Sequence, residues 1–575
     1  YQLDANQLCE MKNINVGNGG LKLRSGTAAK YGPFISTVTN IQKALDTNNN
    51  SILFVDCGNK LQILINGHLM KTVYDITAPT KVIQNKNGFY LRKGSTLITM
   101  SVFSCRANTT YTIPISSSYY MFINKLESDY MSDGVFPENL NGSTIIDARN
   151  GKLYYCQSTV SCNSQNIYTL LSTTNFKRLG TINTFTLVNS SAQRVDFSGV
   201  TLMPHNVLTI FPESSSVFSN LTLSDTSTNK PLEALLCEHI IWHPASMRYF
   251  AAGNKTNPRA LYISNPNDIT VFQTANILYP HLSLGKITSL SVAEKSVLVG
   301  YEFGWSHYVG MDPTTDAQWS LLSIPDGCKY GKTVIPTPSA ISFFTEKGLM
   351  GFSTALLLLQ TIYTPSVNQY KAFSRDRVAM NSGPSACTAF YADGKYYLAV
   401  DETLYLYDYS ADSFVVYSGL AVNAICEDVD GQLILAHQNY IVSFDKNVYT
   451  DFDPQTGMAK PISFSAAFPV LGIVRDHELA KITAVSVKSL GGVNATLSIE
   501  SERGKTEYPL AGTKNYIIEN GQLILNTFQS RFGESLFQTN LSGNVFFVRI
   551  SGETDVVTPK DFHILNIFID AKKER

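Results

Sequence analysis

Few residues in this chain have the types and spacing that chemistry needs. The nearest approach to a nucleotide site is DGCKYGKT, Asp326 to Thr333. A phosphate-cradling P-loop has four residues between its first glycine and its Gly-Lys pair, but here only Cys328, Lys329 and Tyr330 separate Gly327 from Gly331-Lys332-Thr333. It also needs a helix directly afterwards, so that backbone N–H groups point at phosphate; VIPTPSAISFF follows instead, with Pro336 and Pro338. The segment reads as a turn between strands. The nine histidines are scattered and form no HExxH or paired-ligand spacing. Cys237-Glu238-His239 and His477-Glu478 are adjacent groups that a strand would point different ways. No GxSxG nucleophile elbow occurs. Asp408, Asp412, Asp428, Asp430 and Asp445 fall at polar turns where each could help to hold calcium, though such turns are ordinarily solvated. The expectation is a protein that is not an enzyme, with no catalytic, cofactor-binding or metal-binding residues.

The elements that would carry such residues are short strands in a repeat. DGKYYLAVDETLYLYDYSADSFVVYSGLAVNAICEDVDGQLILAHQNYIVSFD, Asp393 to Asp445, contains the same unit twice, offset by 37 residues from Asp393 to Asp430. KYYLAV turns at Asp401-Glu402 into TLYLYD, and QLILAH turns at Gln438-Asn439 into YIVSFD. In the first copy Tyr396, Leu398 and Val400 share one face while Tyr397 and Ala399 share the other. Both faces are apolar, as in a sheet packed between two neighbours. A period of about 40 residues with four short strands is the signature of a β-propeller blade, which buries both faces only with a blade on each side. The Ser-x-Asp-x-Gly-x-Thr-Trp turn of many propeller glycosidases is absent, and Trp242, Trp305 and Trp319 alone supply few platforms for sugar stacking.

The totals agree with a non-catalytic part. A chain of 575 residues predicts two to four domains. Lys plus Arg number 45 against 46 Asp plus Glu, so a net charge of −1 gives no drive toward tight nucleic-acid or membrane binding. Charged residues make up 16% of the chain, against roughly 25% in ordinary soluble domains, which suits a subunit of a large assembly. Nine widely spaced cysteines without a CxxC pair favour reduced thiols over a disulfide framework. Sequons such as Asn254-Lys255-Thr256 occur about as often as so much Asn, Ser and Thr would produce by chance. YQLDANQLCEMKN has no apolar signal segment, and GLMGFSTALLLLQTIY is shorter than the ~20 residues of a membrane helix. The expectation is a soluble protein.

Taken in order, residues 1–45 read as an N-terminal extended arm or clasp followed by a turn, with GNGGLKLRSGTAAKYG carrying Lys22, Arg24 and Lys30. Residues 46–455 read as the propeller. Its hairpins are ILFVDCGNKLQILING, GFYLRKGSTLITM, MRYFAAGNKTNPRALYIS, SVLVGYEFGWSHYVG, ISFFTEKGLMGFS and the two copies above, about seven repeats. The pattern blurs over 106–236, read either as degenerate blades or as an inserted β-rich subdomain; SSSYYMFINKLESDYMSDG within it has a helical look. Residues 456–575, with KITAVSVKSL, NATLSIES, NGQLILNTF and NVFFVRISGE, read as a C-terminal antiparallel β-sandwich. The fold class is all-β: a propeller of about six to eight blades, an N-terminal arm, a possible insertion and a sandwich.

Several phrases, in their order, resemble a family of bacteriophage virion proteins: the propeller-bearing tail tubular or nozzle proteins and DNA-stabilisation hub proteins of short-tailed phages. GGLKLRSGTAAKYG is similar to that family's Gly-Leu-x-x-Arg-x-Gly segment, with Gly20, Leu21, Arg24 and Gly26 in place. RYFAAGNKTNPRALYISNPNDITVF resembles its blade with an Asn-Pro-x-x-Leu-Tyr phrase, and the stretch with Gly327-Cys328 resembles the blade that follows. The resemblance covers about residues 12–30 and 240–500 and leaves 106–236 unmatched. It implies a structural virion protein of the tail, assembled in the host bacterial cytoplasm. Its implied partners are copies of itself in an oligomeric, by family six-fold, ring, other tail and connector proteins, and genomic DNA touched weakly and without sequence specificity. Two other classes stay open on the residues alone: a secreted propeller adhesin or receptor-binding protein recognising glycans, and a propeller hydrolase.

Overall fold

The computed structural model describes residues 10–573 with breaks, those of seven residues or more being 101–109, 113–119, 125–143, 160–166, 221–230, 354–386, 471–478 and 526–532. The protein is all-β, 66% strand and 4% helix. The α-helices among the described residues are the short Ile167–Leu170 and Pro231–Leu235, and no helix there is long and apolar enough to cross a membrane.

Among the described residues, seven antiparallel strand groups recur along the chain, numbered here as the first to seventh sheets. In the first, Val38–Leu45, Ser51–Cys57, Lys60–Ile65 and His68–Val73 pair in chain order. The second is Lys81–Asn85, Gly88–Lys93 and Thr96–Met100, with Phe218–Asn220 as its fourth strand. The third runs His239–His243, Arg248–Ala252, Leu261–Asn265, Asp268–Leu278, and the fourth Ile287–Ala293, Ser296–Tyr301, Gly304–Val309, Ser320–Leu321. The fifth has Ile335–Pro336, Ala340–Thr345 and Gly348–Ser353 among the described residues. The sixth is Thr388–Ala392, Lys395–Val400, Thr403–Asp408, Ser413–Tyr417; the seventh is Val422–Glu427, Leu433–His437, Tyr440–Asp445, closed by Gly26–Tyr31. Each hairpin read from the sequence is the second and third strand of one sheet.

Local chemistry explains the regularity. Asp393 and Gly394 both take positive φ, 49° and 73°, the mirror-image turn that matches strand twist. Asp408 and Asp445, 37 residues apart in the repeat, each accept the backbone N–H two residues on, from Ser410 and Asn447 at 2.9 Å. The two apolar faces of Lys395–Val400 go to different neighbours. Tyr396, Leu398 and Val400 pack with Phe344 and Leu349 of the fifth sheet, whereas Tyr397 and Ala399 pack with Leu435 and Val442 of the seventh.

The same layering recurs from sheet to sheet. Val38–Leu45 touches Lys81–Asn85, linking first to second, and Ile83 of the second packs with Tyr249 and Tyr262 of the third. Phe250 and Ile263 meet Val297 and Tyr308 of the fourth, and Trp305 of the fourth lies 4.8 Å from Phe343 of the fifth, between ring centres. Ile434 and Ala436 of the seventh pack on Leu53 and Cys57 of the first. Each large side chain so buried contributes about 1.5–3 kcal/mol, and no sheet could retain that on both faces alone.

Of the two readings of 106–236, the described strands form a β-rich insertion within the second sheet. The chain leaves the second sheet after Thr96–Met100, builds two further sheets, and returns to supply Phe218–Asn220. One added sheet orders Thr110–Thr112, Thr184–Val188, Arg194–Phe197, Val200–Leu202, and the other Phe176–Thr181, Lys152–Cys156, Thr144–Asp147, Tyr120–Asn124, Thr209–Pro212. The inserted unit thus ends before Phe218, and Pro231–Leu235 already packs with the third sheet. Tyr120–Asn124, expected to look helical, is a strand, because Met121, Phe122 and Ile123 pair on both sides. Ile167–Leu170 forms a single helical turn within the insertion.

The described part of the N-terminal segment, read as an arm or clasp, pairs as strands with distant parts of the chain. Glu10–Lys12 pairs parallel with Ser413–Tyr417 and antiparallel with Ser463–Val470, so the sixth sheet runs on into Phe546–Glu553, Asn494–Ser501 and Gly504–Leu510. Ile14–Gly17 and Gly20–Leu23 extend a second C-terminal sheet, formed with Phe562–Lys573, Ala480–Gly491 and Gly533–Gly543. Val38–Leu45 already belongs to the first sheet, ahead of the expected start at residue 46. Val485, Val487, Leu497 and Ile499 all point inward with no exposed surface. Their apolar cluster does not stop at residue 456, however: it also takes in Ile14, Leu21, Leu23, Leu404, Leu435 and Val442.

Candidate functional site at the junction of the N-terminal strands

Among the described residues, the groups weighed for chemistry are engaged in other contacts or held apart. Gly331–Thr333 forms a single 3-10 turn, so no helix N-terminus faces outward for a phosphate. A Cβ at Gly331 would lie 1.7 Å from the Thr288 carbonyl oxygen, and one at Gly327 2.0 Å from that of Glu302; backbone fills the space a phosphate would need. The Thr333 hydroxyl is spent on Tyr330 O and the Phe344 N–H, and Lys332 reaches Glu238 at 3.4 Å. Cys237 is buried and Glu238 exposed, so these neighbours do diverge. Asp326, Asp412, His477 and Glu478 lie outside the described residues. Asn254 of the sequon is 2% exposed; its amide donates to Glu233 O and accepts from Thr256, which leaves no room for a glycan on the folded chain. Among the described residues no group of three His, Cys, Asp or Glu side chains is placed to share a metal ion.

The concentration of buried polar groups lies elsewhere, where Asn13 to Tyr31 meet residues 416–463. Arg24 is 1% exposed. Its Nη1 and Nη2 donate to Asp451 Oδ1 and Oδ2 at 2.8 and 2.5 Å, its Nε donates to Asn13 Oδ1 at 2.8 Å, and Nη1 also reaches Ser25 O at 3.0 Å. The guanidinium lies 5.2 Å from the centre of the Tyr417 ring. Asp451 also accepts from Thr27 Oγ1 at 3.2 Å. Asn13 in turn donates to Ser418 Oγ and Ser463 O at 3.0 and 2.7 Å. One buried network therefore ties sixth sheet, seventh sheet and C-terminal sheets to a single stretch of backbone.

The flanking residues explain the local sequence. Leu21 and Leu23 alternate into the core, while Gly26 passes so close under Thr450 that a Cβ there would sit 2.0 Å from its carbonyl oxygen. Farther along, Lys30 Nζ lies between Asp428 and Asp430, at 2.6 and 3.3 Å, where a cation bound to these turns would have to be. Burial raises the Asp430 carboxyl, but the Gln432 N–H and Lys30 outweigh it and hold its pKa below the usual value. Burial and the hydrogen bond to Asp428 push the Tyr31 hydroxyl up; burial pushes Tyr417 up to about 12, against the lowering effect of Arg24 and Asn15. These are charges paired and set in place. The arrangement can hold strands in register, and it offers neither a nucleophile nor a proton acceptor to a substrate.

Sequence reasoning noted Lys22, Arg24 and Lys30 as a basic Gly-rich segment and missed the junction. Arg24 and Asp451 are 427 positions apart, and no local spacing encodes such a pair.

No family model and no curated protein matches the chain. Among solved structures a similar one is PorZ, an essential bacterial surface component of the type-IX secretion system of Porphyromonas gingivalis, at 9% identity and a TM-score of 0.31, over 84% of this chain and 46% of that one. The chain thus spans less than half of PorZ, and a likeness of that size carries no argument about fold or role.

Proposed function

We propose that the seven sheets are the blades of a β-propeller and that the chain is a structural subunit of a bacteriophage tail, one of a ring of copies around the DNA channel below the head-to-tail connector. The packing of the seventh sheet on the first supports the propeller, as does the use of N-terminal Gly26–Tyr31 to complete the seventh sheet. The observation that carries the tail reading is the place of the Gly-Leu-x-x-Arg-x-Gly segment. Leu21, Arg24 and Gly26, which the sequence shares with tail nozzle and hub proteins, are the residues that fasten propeller to sandwich. A subunit that withstands the passage of DNA needs its blocks fixed to one another, and this segment does that.

The near-neutral charge fits a conduit, since a wall that released many counterions from DNA would hold it and stall ejection. Electron microscopy of the concentrated protein, or of disrupted virions, is expected to show closed rings with an opening of about 20 Å, scaled from duplex groove widths of ~12 and ~6 Å. A chain that stays monomeric, is absent from virions and binds a defined glycan on an array would overturn the reading in favour of an adhesin.

A further inference from the structure

The connector from the sixth to the seventh sheet, residues 418–421, is held by three side chains from three parts of the chain. Asn13 exchanges hydrogen bonds with Ser418, Lys460 Nζ donates to Gly419 O at 2.8 Å, and His437 Nδ1 lies 3.1 Å from Ala421 O. A carbonyl can only accept, so Nδ1 carries the proton and the ring is the neutral Nδ1–H tautomer. His437 is 2% exposed, and its Nε2 is buried with no hydrogen-bond partner among the described residues. The charged groups that face it come from the hairpin Thr450–Phe452/Ala459–Pro461 and its turn: Asp451, Asp453 and Lys460. Asp451 is already engaged by Arg24 and Thr27, Asp453 by Gln455 and Thr456, and Lys460 repels a second positive charge. Ala421 adds only its carbonyl. A second proton on His437 would therefore place a charge and a new N–H donor in a buried site whose facing carboxylates already accept other donors, and desolvation, aided by Lys460, holds its pKa below the ordinary value despite the Ala421 carbonyl and the two aspartates.

We propose that His437 is a proton-operated latch: in acid its ring leaves the site, freeing connector 418–421 and hairpin 450–461, so that the seventh sheet loosens from the C-terminal sheets while the other sheets stay folded. The sign follows from linkage. A base whose folded pKa is depressed stabilises the closed form above its ordinary value of about 6.5, and that stability is lost as pH falls below it.

Hydrogen exchange of the full chain, corrected for the intrinsic pH dependence, tests this at pH 7.5 and pH 5. In the unsubstituted protein, peptides across 418–421 and 450–461 are expected to lose protection about tenfold per pH unit below about 6.5, until the folded pKa is reached. His437→Asn keeps an N–H near the Nδ1 position but cannot take a proton, and its protection in these peptides is expected to be flat with pH. His307→Asn, at a second histidine whose pKa burial lowers, should retain the unsubstituted response. Equal acid loss with and without His437, or uniform loss through all seven sheets, overturns the latch. Should His437→Asn fail to fold, imidazole NMR of the unsubstituted chain decides: no titration of His437 before the peptides open supports the latch, and titration near 6.5 with the peptides still protected refutes it.

Discussion

Arg24 and Asp451 form a two-point ion pair across 427 residues of sequence, with side chains 1% and 2% exposed. Such a pair is costly to desolvate and adds little net stability over a well-packed apolar pair, but breaking it strands a buried charge. Arg24→Met and Asp451→Leu are each expected to destabilise by about 3–5 kcal/mol in urea melts, and the double variant by clearly less than the sum. Additive losses would show that the two groups act separately.

Gly26→Ala is expected to be destabilising out of proportion to one methyl group, by about 1–3 kcal/mol or more, because the new carbon meets the Thr450 carbonyl rather than a movable side chain. Gly457→Ala makes a useful contrast: a positive φ of 70° is its only obstacle, with nothing within 4 Å of the added carbon. Thermal melts of the two variants should rank Gly26→Ala as the worse.

A fragment of residues 456–575 should show no cooperative unfolding transition by circular dichroism. Its sheets take Glu10–Lys12, Ile14–Gly17 and Gly20–Leu23 as members, and its core also draws on Ile14, Leu21 and Leu23. Residues 10–24 joined ahead of the fragment by a flexible linker are expected to restore a transition.

Thiol reagents at pH 8 should leave Cys57, Cys328 and Cys426 unmodified in the native protein. Burial pushes the first two up to about 12 and the third to about 11, from an ordinary 9.0, so thiolate is scarce as well as covered. Above pH 9 the unfolded chain releases these protons first, so stability should fall as pH rises, by about 1.4 kcal/mol per pH unit for each thiol until its folded pKa is reached. Mass spectrometry after alkylation, with and without urea, checks the first point, and melts from pH 8 to 10 check the second.

The legible part of the fold was whatever neighbours in sequence decide. Asp393-Gly394 and Gly58-Asn59 turns, with alternation on either side, revealed hairpins because turn geometry and side-chain period act over a few residues. Tyr120–Asn124 was obscured because strand partners on both sides, not its own residues, set its state. The candidate site was least visible: Arg24 announces only a basic residue in a Gly-rich stretch until Asp451 arrives. Gly26 likewise looks like turn punctuation, although its reason is a carbonyl 424 positions later.

Glu10–Lys12 lies between Ser413–Tyr417 and Ser463–Val470. A ribosome making this chain delivers the first of those three strands more than 400 residues before the other two. At about 5–20 residues per second the opening strands wait on the order of tens of seconds, with their edges bare, while the sheets between are synthesised and collapse. The nascent protein must keep Glu10–Lys12 and the strands just after it out of wrong pairings until Ser413–Tyr417 and Ser463–Val470 exist, so a binder of extended segments such as a chaperone would act here on residues 10–31 rather than on the repeats.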